Sequence, residues 1–368
     1  MNLFLTLFAL MWQQAAAGTL QIDMLDVGQG DAMLLRSPEG KTVLIDAGRS
    51  DSQTSSLLGA LGVKNLDMVI ATHAHADHIG GMVEVFQDHP VRFYLDQGIP
   101  HTTNTYARTM EGLEESNTGY KSASNGMVFT LDDDIRIEVL HPDSNPLRGT
   151  RSDLNSNSIV TRITHGDICM LLTGDAEDPT EEILMRRGID QCDVLKVAHH
   201  GSQHSTSTRW LTAVKPKIAL ISVGSKNRYG HPAPETLQRL EYAGATIYRT
   251  DLHGRIHLES DGETIAVTTF PNSAKALESS PTIAYPKDKP AHATGGVSVP
   301  INSATAVTLE QLPGIGPVKA AAIVTYRSEH GPFADAESLD NVPGIGPATL
   351  AKIRPLVVID TPKPTETQ

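Results

Sequence analysis

Between Thr19 and Phe270, short apolar runs alternate with polar turns. Leu20–Leu25, Val43–Ile45, Met68–Ala71, Ile135–Leu140, Ile168–Leu172, Val194–Ala198 and Ile218–Val223 have the length and β-branched content of buried strands. Pro179–Arg187 and Pro234–Ala243 keep a helical period instead, and in the second Leu237, Leu240 and Ala243 share one face. Strands alternating with helices predict a layered α/β domain over residues 18–270. Residues 101–127 are polar, rich in Thr, Ser, Asn and Gly, and read as a mobile insertion near a site mouth.

The pattern changes after Phe270. Prolines at 271, 281, 286, 290 and 300, mixed with Ser, Ala, Lys and Gly, mark residues 271–300 as an extended linker. Beyond it, Leu309-Glu310-Gln311-Leu312-Pro313-Gly314-Ile315-Gly316-Pro317 recurs as Leu339-Asp340-Asn341-Val342-Pro343-Gly344-Ile345-Gly346-Pro347, a repeat at a spacing of 30. Each copy leads into a helical stretch, Ala320–Ile323 or Leu350–Ile353, so residues 301–360 read as a small all-α unit. The polar tail 361–368 reads as disordered. At the other end, an apolar run Leu3–Trp12 precedes Ala15-Ala16-Ala17-Gly18, the layout of a secretory signal peptide over residues 1–17, without the usual preceding Lys or Arg. Export to the periplasm or medium is the expectation, and no later stretch is long enough to span a bilayer.

A length of 368 residues suits two folded units with connections, and the 39% hydrophobic content is low enough to include linker and tail. The net charge of −13 argues against nucleic-acid attraction by the protein as a whole, so any such contact must be local. The two cysteines, Cys169 and Cys192, precede Asp175 and His199 and read as small buried apolar residues on neighbouring strands. A disulfide is compatible with export but not required.

Candidate chemistry concentrates after Met68–Ala71, where His73-Ala74-His75-Ala76-Asp77-His78 packs four ligand-type side chains into six positions. Unpaired charge is rarely buried without a metal or partner, so packing alone does not explain the string. His73 and His75 converge on one cation; Asp77 and His78 address a second. Other strand ends supply Asp46, Asp175, and His199-His200-Gly201-Ser202. Singly, an Asp after a strand is a turn residue; in this order the set describes a two-metal site.

His73–His78, Asp46, Asp175 and His199 resemble, in order, the motifs of the metallo-β-lactamase fold, a four-layered αββα sandwich with metals at the sheet edges. Asp26–Ala32, Leu171–Glu177, Leu195–Ser202 and Gly230–Glu235 narrow the resemblance to the soluble hydrolase domain of the competence channel ComEC, without its membrane channel. The resemblance implies His73, His75, Asp77, His78, Asp175 and His199 as metal ligands. Many fold members carry a further histidine where this chain has Asn155-Ser156-Asn157-Ser158. Asparagine is a poor zinc ligand, which leaves the first metal with His73, His75 and Asp175. Asp46, Asn155, Asn157 and Ser202 then stand as residues touching ligands or substrate, and Asp77, His200 and His231 as catalytic candidates. His200 and His231 are read as substrate-binding or leaving-group acids rather than ligands. Two divalent ions, zinc or alternatively manganese or iron, would activate a water nucleophile.

The C-terminal repeat resembles the paired helix-hairpin-helix DNA-binding domain of the competence receptor ComEA, supported by both Pro-Gly-Ile-Gly-Pro hairpins and Tyr326–Phe333. The resemblance implies sequence-independent contact with DNA phosphates through Gly314, Gly316, Gly344 and Gly346 amides with Lys319, Lys352 and Arg354. With four basic and six acidic residues in 301–360, such binding is expected to be weak and salt-sensitive. The combined expectation is an exported DNA-directed phosphodiesterase whose hairpin module tethers its substrate. Its rivals are a metallo-hydrolase of small or cell-wall phosphoesters or lactones, and a catalytically idle DNA-binding accessory protein.

Overall fold

The computed structural model describes residues 18–271, 283–285 and 299–360 apart from 310, 311 and 313. The signal-peptide reading of 1–17, most of the linker and the 361–368 tail lie outside the described residues.

Two sheets form the first domain. The first contains β1 (Leu20–Met24), β2 (Met33–Arg36), β3 (Thr42–Ile45), β4 (Met68–Ile70), β5 (Phe93–Asp96) and β6 (Gly119–Ser122). The second contains β7 (Val128–Asp132), β8 (Ile135–His141), β9 (Val160–His165), β10 (Ile168–Leu172), β11 (Val194–Lys196), β12 (Ile218–Ile221) and β13 (Thr246–Arg249). The chain then returns to the first sheet as β14 (Arg255–Ser260), β15 (Ile265–Phe270) and β16 (Ile283–Tyr285). The orders are β16-β15-β14-β1-β2-β3-β4-β5-β6 and β13-β12-β11-β10-β9-β8-β7.

Burial explains the layering. Inward positions alternate along β14 (Ile256, Leu258) and β15 (Ile265, Val267), and they meet Ile137, Ile163, Met170 and Leu220 from the other sheet in one dry core. The outer face of the first sheet packs Leu34, Leu44 and Val69 against Leu58, Met82 and Leu113 from helices. The outer face of the second packs Leu171, Leu195 and Ala219 against Leu184, Trp210 and Leu240. The result is the expected four-layered αββα sandwich. β3–β6 run parallel, as do β10–β13, so the loops leaving their carboxyl ends gather on one edge.

Three expectations are corrected. Residues 101–127 hold a regular helix, Asn104–Glu115, capped by the Thr103 hydroxyl, and the strand β6. Tyr106, Met110 and Leu113 recur at helical spacing and pack into the outer cluster, a face too sparse to stand out in so polar a segment. Within 271–300, Ile283–Tyr285 pairs antiparallel with β15, and the flanking Pro281 and Pro286 suit an edge strand. Cys169 and Cys192 are joined as a disulfide, with Cα atoms 4.7 Å apart, rather than standing as unpaired core residues.

The C-terminal unit closes on its own core of Val299, Ile301, Leu309, Leu312, Ile315, Ile323, Phe333, Leu339, Ile345 and Ile353. Its helices include Ala306–Leu309, Pro317–His330 and Pro347–Ile353, and two-residue strands Val299–Pro300 and Val357–Val358 tie its ends together. No helix among the described residues is long and apolar enough to cross a membrane.

Candidate metal centre

The His73–His78 segment leaves β4 and enters a short helix, Ala76–Ile79, with His75 at its N-cap. Asp46, at the end of β3, sits in the left-handed region (φ 60°), uncommon for a residue with a Cβ. That turn aims its carboxylate at Thr72 N and Thr72 Oγ1, both at 2.7 Å, and at His78 Nδ1 at 2.8 Å. Asp46 therefore fixes the ring of His78, leaving Nε2 facing Asp175.

β10 delivers Asp175, which is the hub. His78 Nε2 lies 3.3 Å from Oδ1, and His73, His199 and His200 Nε2 lie 3.7, 3.8 and 3.8 Å from Oδ2. His199 and His200 follow β11 with φ of 51° and 54°, two successive non-glycine residues in a costly conformation. The turn separates their roles. His200 is buried, donates from Nδ1 to Ser222 O at 2.9 Å, and points Nε2 at Asp77 Oδ2, 3.4 Å away. His199 is more open and stands 3.5 Å from Glu177 Oε1. The compact buried groups are His73/His78/Asp175, Asp77/His78/His200, Asp31/Asp175/His200 and Asp31/Asp46/His78, each with ligand atoms within 4.8 Å of one another.

Three of these neighbours were not singled out from sequence. Asp31 lies in the Gly30-Asp31-Ala32 turn, is buried, and pairs with Lys196 and with His200 Nδ1 at 3.4 Å. Lys196 is itself buried on β11 and donates to Gly174 O at 3.1 Å. A lysine inside Val194-Leu195-Lys196-Val197-Ala198, on a strand buried on both faces, was the available signal. Glu177 accepts from Arg151 at 2.6 Å and from Asn155 Nδ2 at 3.3 Å, so Asn155 borders the site beside His199.

Asn157 and Ser202 stand apart from this cluster. The Asn157 amide is spent on the backbone of Leu147 and Asp153, bracing a loop. The Ser202 hydroxyl accepts from His204 N within its own turn. His231 lies at the cleft edge, edge-on to His199 with centroids 5.6 Å apart.

Charge follows from these contacts. Burial opposes a proton on His78, but Asp175 and Asp46 outweigh it and hold its pKa well above the usual value. His200 is likewise raised against burial by Asp175 and Asp31, to about 10. Burial and the nearby His78 depress His73, and burial depresses His75. Burial pushes Asp175 upward, yet His78, His200 and His199 hold it well below the normal range. For His231, burial and the neighbouring His199 and His200 lower the pKa to about 4, so the ring is neutral at pH 7. In this frame protons on His78 and His200 offset part of the negative charge gathered around Asp175, the task a divalent cation performs in such clusters.

The model of the metallo-beta-lactamase superfamily matches residues 25–225. The chain belongs to that superfamily. A helix-hairpin-helix motif matches residues 295–358. ComE operon protein 3 of Bacillus subtilis is 30% identical over 272 residues, 68% of this chain and 34% of that protein. Competence protein ComA of Neisseria gonorrhoeae is 31% identical over 236 residues, 63% of this chain and 31% of that protein. The chain thus spans about a third of the length of these curated relatives. Among solved structures, the metallo-beta-lactamase fold protein YhfI from Bacillus subtilis aligns at 14% identity and a TM-score of 0.44, over 66% of this chain and 100% of that one.

The metallo-β-lactamase fold implies divalent metal ions, and the residues present fit them. His78 Nε2, His200 Nε2, Asp175 Oδ1 and Asp31 Oδ1 are buried without a hydrogen-bond partner, an arrangement expensive to maintain unless a cation answers it. The donors are all imidazole nitrogens and carboxylate oxygens, which suits zinc, manganese or iron. His75, Asp77, Asp175, His199 and His200 line a cleft of ≈ 400 Å³ that also carries Gln29, Arg49, His101 and Tyr229.

In the C-terminal unit, Gly314 and Gly344 take φ of 85° and 87°, and Gly316 and Gly346 occupy the N-caps of the following helices. The repeat thus produces matching turns. Lys319 donates to Gly314 O at 3.0 Å and lies 3.4 Å from Thr349 Oγ1, linking the two halves, while the exposed Arg354 pairs with Glu337 at 2.7 Å.

Proposed function

We propose that this chain is an exported, metal-dependent phosphodiesterase acting on DNA, with the C-terminal hairpins as a sequence-independent tether. The observation that carries the chemistry is the convergence of His73, His78, His199 and His200 on Asp175. Support for DNA comes from the paired hairpin turns and from a relative named as a competence protein.

In this reading His73, His75 and Asp175 hold one cation, and Asp77, His78, His200 and Asp175 hold another. His199 keeps the rim position beside Glu177 and Asn155, where it also approaches the first set. When bound, such cations supply Lewis acidity and activate water near neutral pH. The protein's own contributions are orientation and charge. Asp46 sets the His78 ring, and the Lys196–Asp31 pair backs His200. Neutral His231 offers a hydrogen bond to a phosphate oxygen, the substrate-binding alternative of the two roles read for it from sequence. Arg49 and His101 stand at the mouth, where an anionic substrate enters.

The acidic balance, −13 overall, favours the rival of a small phosphoester or lactone substrate. A single assay separates them. Full-length protein with Mn²⁺ or Zn²⁺ is offered single-stranded DNA, double-stranded DNA and bis-p-nitrophenyl phosphate. Cleavage of DNA at a KM far below that for the small diester supports the proposal; turnover of the diester alone returns the function to a small-substrate hydrolase.

A further inference from the structure

A second groove, ≈ 580 Å³, adjoins the metal cleft and shares Gln29 and Arg49 with it. Its floor is the seam between the Asp26–Gln29 turn and the loop after β12. Gln29 Oε1 accepts from Gly224 N, and a Cβ at Gly224 would lie 2.7 Å from Gln29 N, so only glycine lets the two loops close up. The loop is stapled by Asn227. Its amide donates to Gly224 O and His231 O, and its oxygen accepts from Tyr229 N and His231 N.

That staple presents Tyr229. The ring is 62% exposed, large for an aromatic residue with no apolar patch to join. One face stacks on His231, with centroids 5.9 Å apart and planes 18° from parallel, and His231 in turn meets His199. The residue lines the metal cleft together with Arg49, and the adjoining groove carries exposed Arg49 and Lys226.

We infer that Tyr229, backed by His231 and sharing the metal cleft with Arg49, is a stacking subsite for an unpaired nucleotide next to the phosphodiester being cut. The inference rests on the phosphodiesterase reading above and names the substrate class: single-stranded nucleic acid. Charge alone does not recognise the strand here, because Asp26 and Asp51 line the same groove and Arg49 already pairs with Asp51 at 3.4 Å. An aromatic face accepts any base, but only one freed from its own stack and partner. Arg49 and Lys226 contribute phosphate contacts that carry no sequence information.

The test is a cycle between protein and substrate. Full-length protein, Tyr229→Ala, Tyr229→Phe and Arg49→Ala are assayed with Mn²⁺ on a single-stranded oligonucleotide, on the same strand with abasic sites flanking the cut, and on a duplex. Tyr229→Ala raises KM about tenfold on the natural strand, within the range of base–aromatic stacking, and changes little on the abasic strand. Tyr229→Phe restores the wild-type KM. Arg49→Ala raises KM on both strands and flattens the salt dependence. The wild type prefers the single strand to the duplex. Equal losses for Tyr229→Ala on natural and abasic strands, or no loss on either, overturn the stacking subsite while leaving the phosphodiesterase in place. Absence of DNA cleavage by the unaltered protein removes both.

Discussion

Asp31 and Lys196 show how one buried pair supports the centre. Both are almost fully buried, and the pair backs His200 from the side away from the cleft. Removing one partner of a buried pair leaves an uncompensated charge, at a cost of roughly 3–5 kcal/mol. Lys196→Met is therefore expected to lower the urea midpoint by that equivalent, while Lys196→Met with Asp31→Asn recovers most of the stability but not the activity. Equal midpoints for the wild type and Lys196→Met would show that the pair is not buried as described. The residues legible in the sequence were those in a dense string, His73–His78, together with Asp46, Asp175 and the His199-His200 pair at strand ends. The sequence reading placed His199 among the ligands and His200 outside them; that His200 also reaches Asp77, at 3.4 Å, depends on two successive left-handed backbone angles that leave no trace in the sequence. Asp31 and Lys196 are 165 positions apart in sequence, and only the sheet brings them together.

At the level of elements, the loop carrying Gly201–Ser207 is held between two helices. From the helix Asp178–Arg187, Glu181 accepts from Thr206 N and Ser207 N. From the helix Pro234–Tyr242, Arg239 donates to Thr206 O and Ser205 O at 3.0 Å. Burial, aided by Asp178, raises the Glu181 pKa to about 7 against the ordinary 4.5. Its folded-state pKa lies above its unfolded one, so the native state binds the extra proton between those values. The contribution to stability is full below about pH 4.5 and is lost as pH rises through about 7. Glu181→Gln should remove that slope from unfolding free energy measured across pH 4.5–7, at a constant cost of about 1 kcal/mol for the weakened backbone contacts. An unchanged slope would place the titration elsewhere. β10 and β12, with continuous apolar runs, and the helix at Asp178–Arg187, with a helical period, were readable within a residue or two. β14, β15 and the helix Asn104–Glu115 were not: their buried positions alternate with, or are thinned by, polar residues whose partners lie far along the chain.

At the scale of the whole molecule, the acidic hydrolase domain and the hairpin unit divide the work under the proposed function. Among the described residues, none after Phe270 is a ligand of the cluster. Gly314→Val with Gly344→Val places β-branched side chains at φ near 85°, which disrupts both turns and blocks close phosphate approach. The double variant should retain hydrolysis of a small diester, raise KM on long DNA and lose part of its salt dependence, with kcat held. Identical KM and salt response in both forms would show that the repeat is no tether. The alternation of strands and helices and the repeat were visible as patterns, and the four layers followed from the family resemblance; the pairing of Ile283–Tyr285 onto the first sheet was hidden within proline-rich sequence.

The central claim is that cations held around Asp175 drive hydrolysis of DNA. The most direct measurement is a titration of exhaustively chelated full-length protein with Mn²⁺ or Zn²⁺, following bound metal by elemental analysis and cleavage of single-stranded DNA in the same samples. The account predicts no cleavage without metal, recovery that rises in step with occupancy to two ions per chain, and, for a folded Asp175→Asn variant, loss of both binding and cleavage. Undiminished cleavage by metal-free protein, or by Asp175→Asn, would contradict it.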